Sequence, residues 1–217
     1  MTSFDPRSLG VYVVTSGTLV NGRTHLDVAE AALRGGATAI QLRAPELDDA
    51  ALLPLAADIG RLCERAGALF VVNDRAGVAA QVEGAGAHVG QREHPELARA
   101  ALGPGRALGI SVASVPDARD AAAAGADYLG VTVWRTGTKP EAQPGGLETV
   151  RAVAEATDLP VVGIGGIDAR NAGQVLAAGA AGVAVISVVV AAPDPVSATA
   201  ELRAAVEQFR GEHGGTR

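Results

Sequence analysis

The residues best suited to chemistry in this chain are those that could hold phosphate. The stretch TGTKP (136–140) combines two hydroxyls, Thr136 and Thr138, a glycine that admits close backbone approach, and Lys139, the chain's only lysine among eighteen basic residues. A lysine acts on clustered phosphate oxygens as a compact point charge, whereas the planar fork of arginine needs more room. In a composition this rich in arginine, its presence here suggests that the loop uses its shape or its proton, although chance would also have to leave the last lysine somewhere. GIGGI (163–167) brings bare backbone N–H groups at Gly165 and Gly166 to the entry of a helical segment, and VIS (185–187) brings another set at Ile186 and Ser187. The same glycines would also serve as a plain tight turn.

Two carboxylates, Asp74 and Glu93, follow neighbouring apolar runs, with no cysteine and no histidine pair at ligand spacing beside them. A site of one or two carboxylates completed by substrate phosphates and water suits Mg2+. Of the histidines, His25 and His94 read as helix-start residues, His88 lies within a strand and His213 falls in the tail. Further polar residues stand just past other apolar runs: Gln41 and Arg43, Asn73 beside Asp74, and Ser111. Any one of them has an ordinary use in turns or caps. Their convergence depends on the elements that carry them.

Those elements alternate. Short runs rich in valine, isoleucine and leucine (VYVVT, AIQLR, LFVVND, AHVG, ALGIS, DYLGVT, PVVGI, GVAVIS) are each followed by a turn and a segment with helical spacing. The helical segments are HLDVAEAALRGG, DDAALLPLAADIGRLCERAG, RAGVAAQVEGAG, HPELARAALGP, VPDARDAAAAGA, LETVRAVAEATD, DARNAGQVLAAGA and DPVSATAELRAAVEQFR. The pattern predicts a single α/β domain, a (β/α)8 TIM barrel, whose active site lies at the strand C-termini where these polar residues fall. The expected layout is an N-terminal arm over 1–9, the barrel over 10–209 and a flexible tail over 210–217.

A net charge of −6 and scattered arginines argue against nucleic acid as a partner. The longest apolar stretch, VAVISVVVAAP, is too short to span a bilayer, and the first residues lack a leader pattern, so a cytoplasmic place away from membranes is expected. Homo-oligomerisation is left open. The single cysteine, Cys63, sits in a helical pattern and reads as a structural thiol.

From Gly10 to about Phe209 the chain resembles the thiamine-phosphate synthase family, which also contains thiazole tautomerases. The matching phrases are VYVVT, QLR, VVNDR, HVGQ, GIS, GADYLGV, TGTKP, VVGIGGI and AGAAGVAVIS, in this order on eight successive strands. The resemblance implies a transferase that joins a pyrimidine diphosphate to a thiazole phosphate. It releases pyrophosphate by a Mg2+-dependent dissociative route. It further implies that Gln41, Arg43 and Asn73 meet the pyrimidine diphosphate and that Asp74 and Glu93 hold Mg2+. Ser111 would approach the pyrimidine or its diphosphate. Thr136, Thr138 and Lys139 would lie where thiazole phosphate and pyrophosphate meet, and Gly165, Gly166, Ile186 and Ser187 would receive the thiazole phosphate. Lys139, Ser111 and Arg43 are then the expected catalytic groups.

The chain departs from the family pattern at four places. Ala44 and Pro45 follow QLR where relatives carry a glutamate and a diphosphate-binding lysine, Glu93 stands for an aspartate, and Ala113 for a common histidine. The loop before TGTK is one residue shorter. Arg75, Arg92 and Arg135 are the candidates to supply the missing cation. The other readings are a tautomerase-like relative and a non-catalytic binding protein for thiazole or thiamine phosphate.

Overall fold

The computed structural model describes residues 4–15, 19, 21–90, 94–135 and 144–213. The strands are β1 (Val11–Val14), β2 (Ala39–Leu42), β3 (Leu69–Asn73), β4 (Gly86–Val89), β5 (Leu108–Val112), β6 (Tyr128–Thr132), β7 (Val161–Ile164) and β8 (Gly182–Val185). Each pairs in parallel with the next, and β8 returns to β1 with Tyr12 opposite Ala184, closing the barrel. The expected (β/α)8 architecture is therefore the one observed.

Helices α1 (His25–Arg34), α2 (Asp49–Ala66), α3 (Ala76–Ala79), α4 (Pro95–Leu102), α5 (Val115–Ala123), α6 (Gly146–Ala156), α7 (Ala172–Ala177), α8 (Ser187–Val190) and α9 (Pro195–His213) lie between and after the strands. Their starts follow from local chemistry. Thr24 and Asp27 form a reciprocal capping box on α1, and the side chains of Asp48 and Ser114 accept from N–H groups of the first turns of α2 and α5. His25 is the first residue of α1, as expected, and its Nε2 lies 3.0 Å from Glu46.

The strands separate two apolar clusters. Along β1, Val11 and Val13 join the cluster shared with the helices, while Tyr12 and Val14 join the one inside the barrel, as the two-residue period of a strand requires. Leu9, Val71, Tyr128, Val162 and Ala184 complete much of that inner cluster. Cys63 is buried in α2, and burial pushes its thiol up to about 12, which agrees with a structural role.

Three expectations about the elements need correction. The helix expected over RAGVAAQVEGAG is only α3, and the chain then tightens into three-residue turns, with Val82 N–H on the Ala79 carbonyl at 3.0 Å and Ala85 N–H on the Val82 carbonyl at 3.3 Å; Arg106 Nη1 donates to the same two carbonyls at 2.8 and 2.7 Å. The strand expected to end at Ser187 ends at Val185, and Ser187 instead opens α8. Over its described part the N-terminal arm packs on the barrel. Phe4 stacks on Tyr128 at 5.7 Å, Pro6–Leu9 form a 3-10 turn, and Leu9 is fully buried. The tail expected from 210 begins inside α9, where Arg210 donates to the Ala181 carbonyl at 2.7 Å and His213 stacks on Phe209. Among the described residues, no helix is long and apolar enough to cross a membrane.

Candidate active site

A cavity of about 450 Å³ opens at the C-terminal ends of the strands. One wall comes from the segments after β7 and β8, with Gly165, Gly166, Ile186 and Ser187 all in its lining. The first of these loops is held open by its own hydrogen bonds. Gly165 and Gly166 have φ of 99° and 67°, a region that L side chains rarely adopt. The Gly165 carbonyl accepts from Trp134 N–H at 3.3 Å, and the Gly166 carbonyl accepts from Asn171 Nδ2 at 2.9 Å. In a trans peptide the next N–H faces away from the carbonyl, so both carbonyls are spent on protein and the Gly166 and Ile167 N–H groups lie on the opposite side. Asp168 also lines this wall, its carboxyl held below the usual range by its hydrogen bond to Arg170. Arg135, exposed at the end of β6, completes the rim.

The floor is polar. Gln41 from β2 donates through Nε2 to the Tyr12 hydroxyl at 2.8 Å, which lies 2.9 Å from the Tyr128 hydroxyl. The Tyr128 hydroxyl lies 3.2 Å from His88 Nδ1, and His88 Nε2 lies 3.0 Å from Ser111 Oγ. Burial raises both tyrosines well above the ordinary phenol value, so each keeps its proton.

Arg43, Asn73 and Asp74, at or just past the ends of β2 and β3, are not part of the cavity lining. Arg43 has its backbone N–H fixed by Thr15 Oγ1 at 3.0 Å. Asp74 is left-handed at φ 61°, with its N–H bonded across to the His88 carbonyl at 2.8 Å. This turns its exposed carboxylate toward the end of β4, where Oδ1 accepts from Gly90 N–H at 3.3 Å and Oδ2 from Asn73 Nδ2 at 2.5 Å. Glu93 follows Gly90 by three positions in the sequence.

Of the expected site residues, Gln41, Ser111, Gly165, Gly166, Ile186 and Ser187 share one cavity. Arg43, Asn73 and Asp74 stand at the same barrel end beside it. Thr136, Thr138, Lys139 and Glu93 lie outside the described residues, as does Arg92. Arg75 pairs with Asp49 at 2.9 Å, whereas Arg135 lines the cavity. Tyr12, Tyr128 and the site role of His88 were missed. A histidine or tyrosine within an apolar strand must find a polar partner when buried, and that was the available signal.

A family model for thiamine monophosphate synthase matches residues 11–189. The chain belongs to the thiamine monophosphate synthase family. It is an enzyme, a transferase. A thiamine-phosphate synthase of Moorella thermoacetica is 47% identical over 205 residues, covering 93% of this chain and 98% of that protein. One from Roseiflexus castenholzii is 46% identical over 195 residues, covering 88% and 86%. The solved structure of a thiamine phosphate pyrophosphorylase from Pyrococcus furiosus superimposes with a TM-score of 0.86 at 37% identity, covering 94% of this chain and 98% of that one. A 3-hexulose-6-phosphate synthase reaches 0.68 at 18% identity, a likeness of fold alone. Similarity to named synthases thus runs through nearly the whole barrel.

Proposed function

We propose that the chain condenses an aminopyrimidine methyl diphosphate with a thiazole phosphate, releasing pyrophosphate and forming thiamine phosphate. The observation that carries this reading is that the two backbone-donating loops after β7 and β8 open onto the same cavity as Gln41 and Ser111. A phosphate end and a ring-binding floor therefore share one chamber, within the roughly 300–1,000 Å³ usual for small-molecule sites. The thiazole phosphate is received at Gly165, Gly166, Ile186 and Ser187. The pyrimidine lies over Gln41 and Ser111, with its diphosphate toward Arg43 and Asn73.

Asp74 fits a hard divalent cation. Its carboxylate is exposed, each oxygen takes one N–H donor, and lone pairs remain for a metal. No group of three His, Cys, Asp or Glu side chains occurs among the described residues, and Mg2+ needs only one or two carboxylates when phosphates and water complete its shell. Asp74 and Glu93 would hold it, and when bound it supplies charge neutralisation to the departing pyrophosphate.

The remaining work is positioning and electrostatics. In a dissociative transfer the pyrimidine–diphosphate bond breaks before the thiazole nitrogen bonds to the methylene carbon, so charge on the leaving group is the main quantity to stabilise. Arg43 and Lys139 supply cations there, with Thr136 and Thr138 as hydroxyl donors. Arg135 takes up the cationic role left open by Pro45. Its place on the cavity rim favours it over Arg75, which Asp49 already engages.

The test is pyrophosphate release by purified protein given both substrates, with Mg2+ and then with EDTA. Metal-dependent release with thiamine phosphate formed is expected. Release that persists in EDTA would overturn the metal assignment, and binding of thiazole phosphate without any release would overturn the condensation.

A further inference from the structure

We infer that Gln41, Tyr12, Tyr128, His88 and Ser111 form one directional hydrogen-bond wire through the barrel floor, in which His88 is a positioning residue that fixes the Ser111 hydroxyl as a donor toward the bound ligand. The inference deepens the reading above, because it rests on Ser111 facing the pyrimidine or its diphosphate.

The members come from five strands, β2, β1, β6, β4 and β5, and four consecutive contacts of 2.8, 2.9, 3.2 and 3.0 Å link them. Tyr12, Tyr128 and Gln41 are 2%, 1% and 6% exposed, so water is not an alternative partner for the two phenols. Each phenol has a single proton to give. That restriction sets the order. Gln41 Nε2–H donates to Tyr12, so the Tyr12 proton goes to Tyr128 and the Tyr128 proton goes to His88 Nδ1. An Nδ1 that accepts leaves the ring proton on Nε2, which is donated to Ser111 Oγ. The Ser111 proton is then unspent and faces the cavity.

Reversing every link would turn Ser111 into an acceptor from the ligand's side and Gln41 into a donor. The two ends therefore always carry opposite character, because each link passes one proton. A break in the order leaves a buried phenol proton without an acceptor, which the fold disfavours. The Gln41 amide, with Nε2 on Tyr12, selects the order in which Ser111 donates and the Gln41 carbonyl oxygen is left to accept. The wire thus gives the floor a hydrogen-bond polarity suited to a ligand that offers an acceptor at Ser111 and a donor at Gln41. A phosphate oxygen or ring nitrogen fits the first, and an aromatic amine fits the second.

The test uses ligand-free full-length protein labelled with 15N-histidine. The His88 signals are identified by their loss in His88→Gln. In the wild type, one neutral tautomer protonated on Nε2 is expected. Tyr128→Phe removes the only wire proton aimed at Nδ1 and should convert that state into a mixture of tautomers. A wild-type His88 protonated on Nδ1, or a tautomer unmoved by Tyr128→Phe, would overturn the wire. The wild-type spectrum decides its direction even if the variant does not fold.

Turnover then tests the positioning role. Tyr128→Phe should lower kcat about tenfold, but less than twofold in a Ser111→Ala background, as coupling through one group requires. Independent, multiplying losses would overturn that role. Because the spectrum needs no substrate, failure of the functional reading and failure of the wire are distinguishable.

Discussion

Gly165→Ala probes whether the loop after β7 binds an anion through its backbone. The position has φ 99°, and an added Cβ would lie 2.6 Å from the Trp134 carbonyl oxygen and 3.4 Å from Thr132 Cγ2. The close atom is backbone, so no side-chain rotation relieves it and the loop must move away from the end of β6. Strain and displacement together cost about 2–4 kcal/mol. For a domain of this size that is a fall in Tm of roughly 5–15 °C. Gly67→Ala separates the two causes. Gly67 has φ 65° at the end of α2 with nothing within 4 Å of its added Cβ, so only strain of about 1 kcal/mol applies and the active site is untouched. Thermal unfolding and pyrophosphate release should be measured on both variants. For Gly165→Ala the KM for thiazole phosphate should rise at least tenfold, about 1.4 kcal/mol, while the KM for the pyrimidine diphosphate stays within about twofold. A Gly165→Ala protein with an unchanged KM for thiazole phosphate would refute the backbone anion site.

Three further outcomes are expected. Lys139→Ala should lower the rate of pyrophosphate release at least tenfold, about 1.4 kcal/mol of transition-state stabilisation, and unchanged turnover would remove the role given to this lysine. Both of the chain's tyrosines lie in the buried floor, and burial raises each. The fold thus favours the protonated phenols: their contribution to stability is fully present below the free tyrosine value of about 10 and is lost as pH climbs above it. Ultraviolet tyrosinate absorbance should therefore appear only together with alkaline unfolding, and ionisation of folded protein near the free value would contradict the burial. Cys63, with its thiol pushed up to about 12, should resist alkylation at mildly alkaline pH until denaturant is added. Rapid labelling of native protein would show that α2 opens.

The barrel was legible because each strand and helix announces itself locally. A run such as PVVGI, covered on both sides, must be continuously apolar, and the segment that follows must carry a helical stripe to cover it. Local capping chemistry set the start of α1 at Thr24 with Asp27. One wall of the cavity was legible for a related reason. Gly165 and Gly166 after one strand and Ser187 after the next share a wall because consecutive strands pair, β7 beside β8. The order of motifs on successive strands likewise marked the family.

The polar floor was decided by contacts between distant residues. The floor depends on residues 29 and 116 positions apart, Gln41 with Tyr12 and Tyr12 with Tyr128. In a parallel strand both faces are apolar, so sequence spacing does not say which way His88 or Tyr128 points. By itself, the sequence determined the eightfold alternation, the family and the glycine positions after β7 that line the cavity. Only the tertiary structure decided which strand residues turn inward, which arginine lines the cavity and which hydroxyls lie within hydrogen-bond distance of one another, because those depend on the register of strands across a closed barrel.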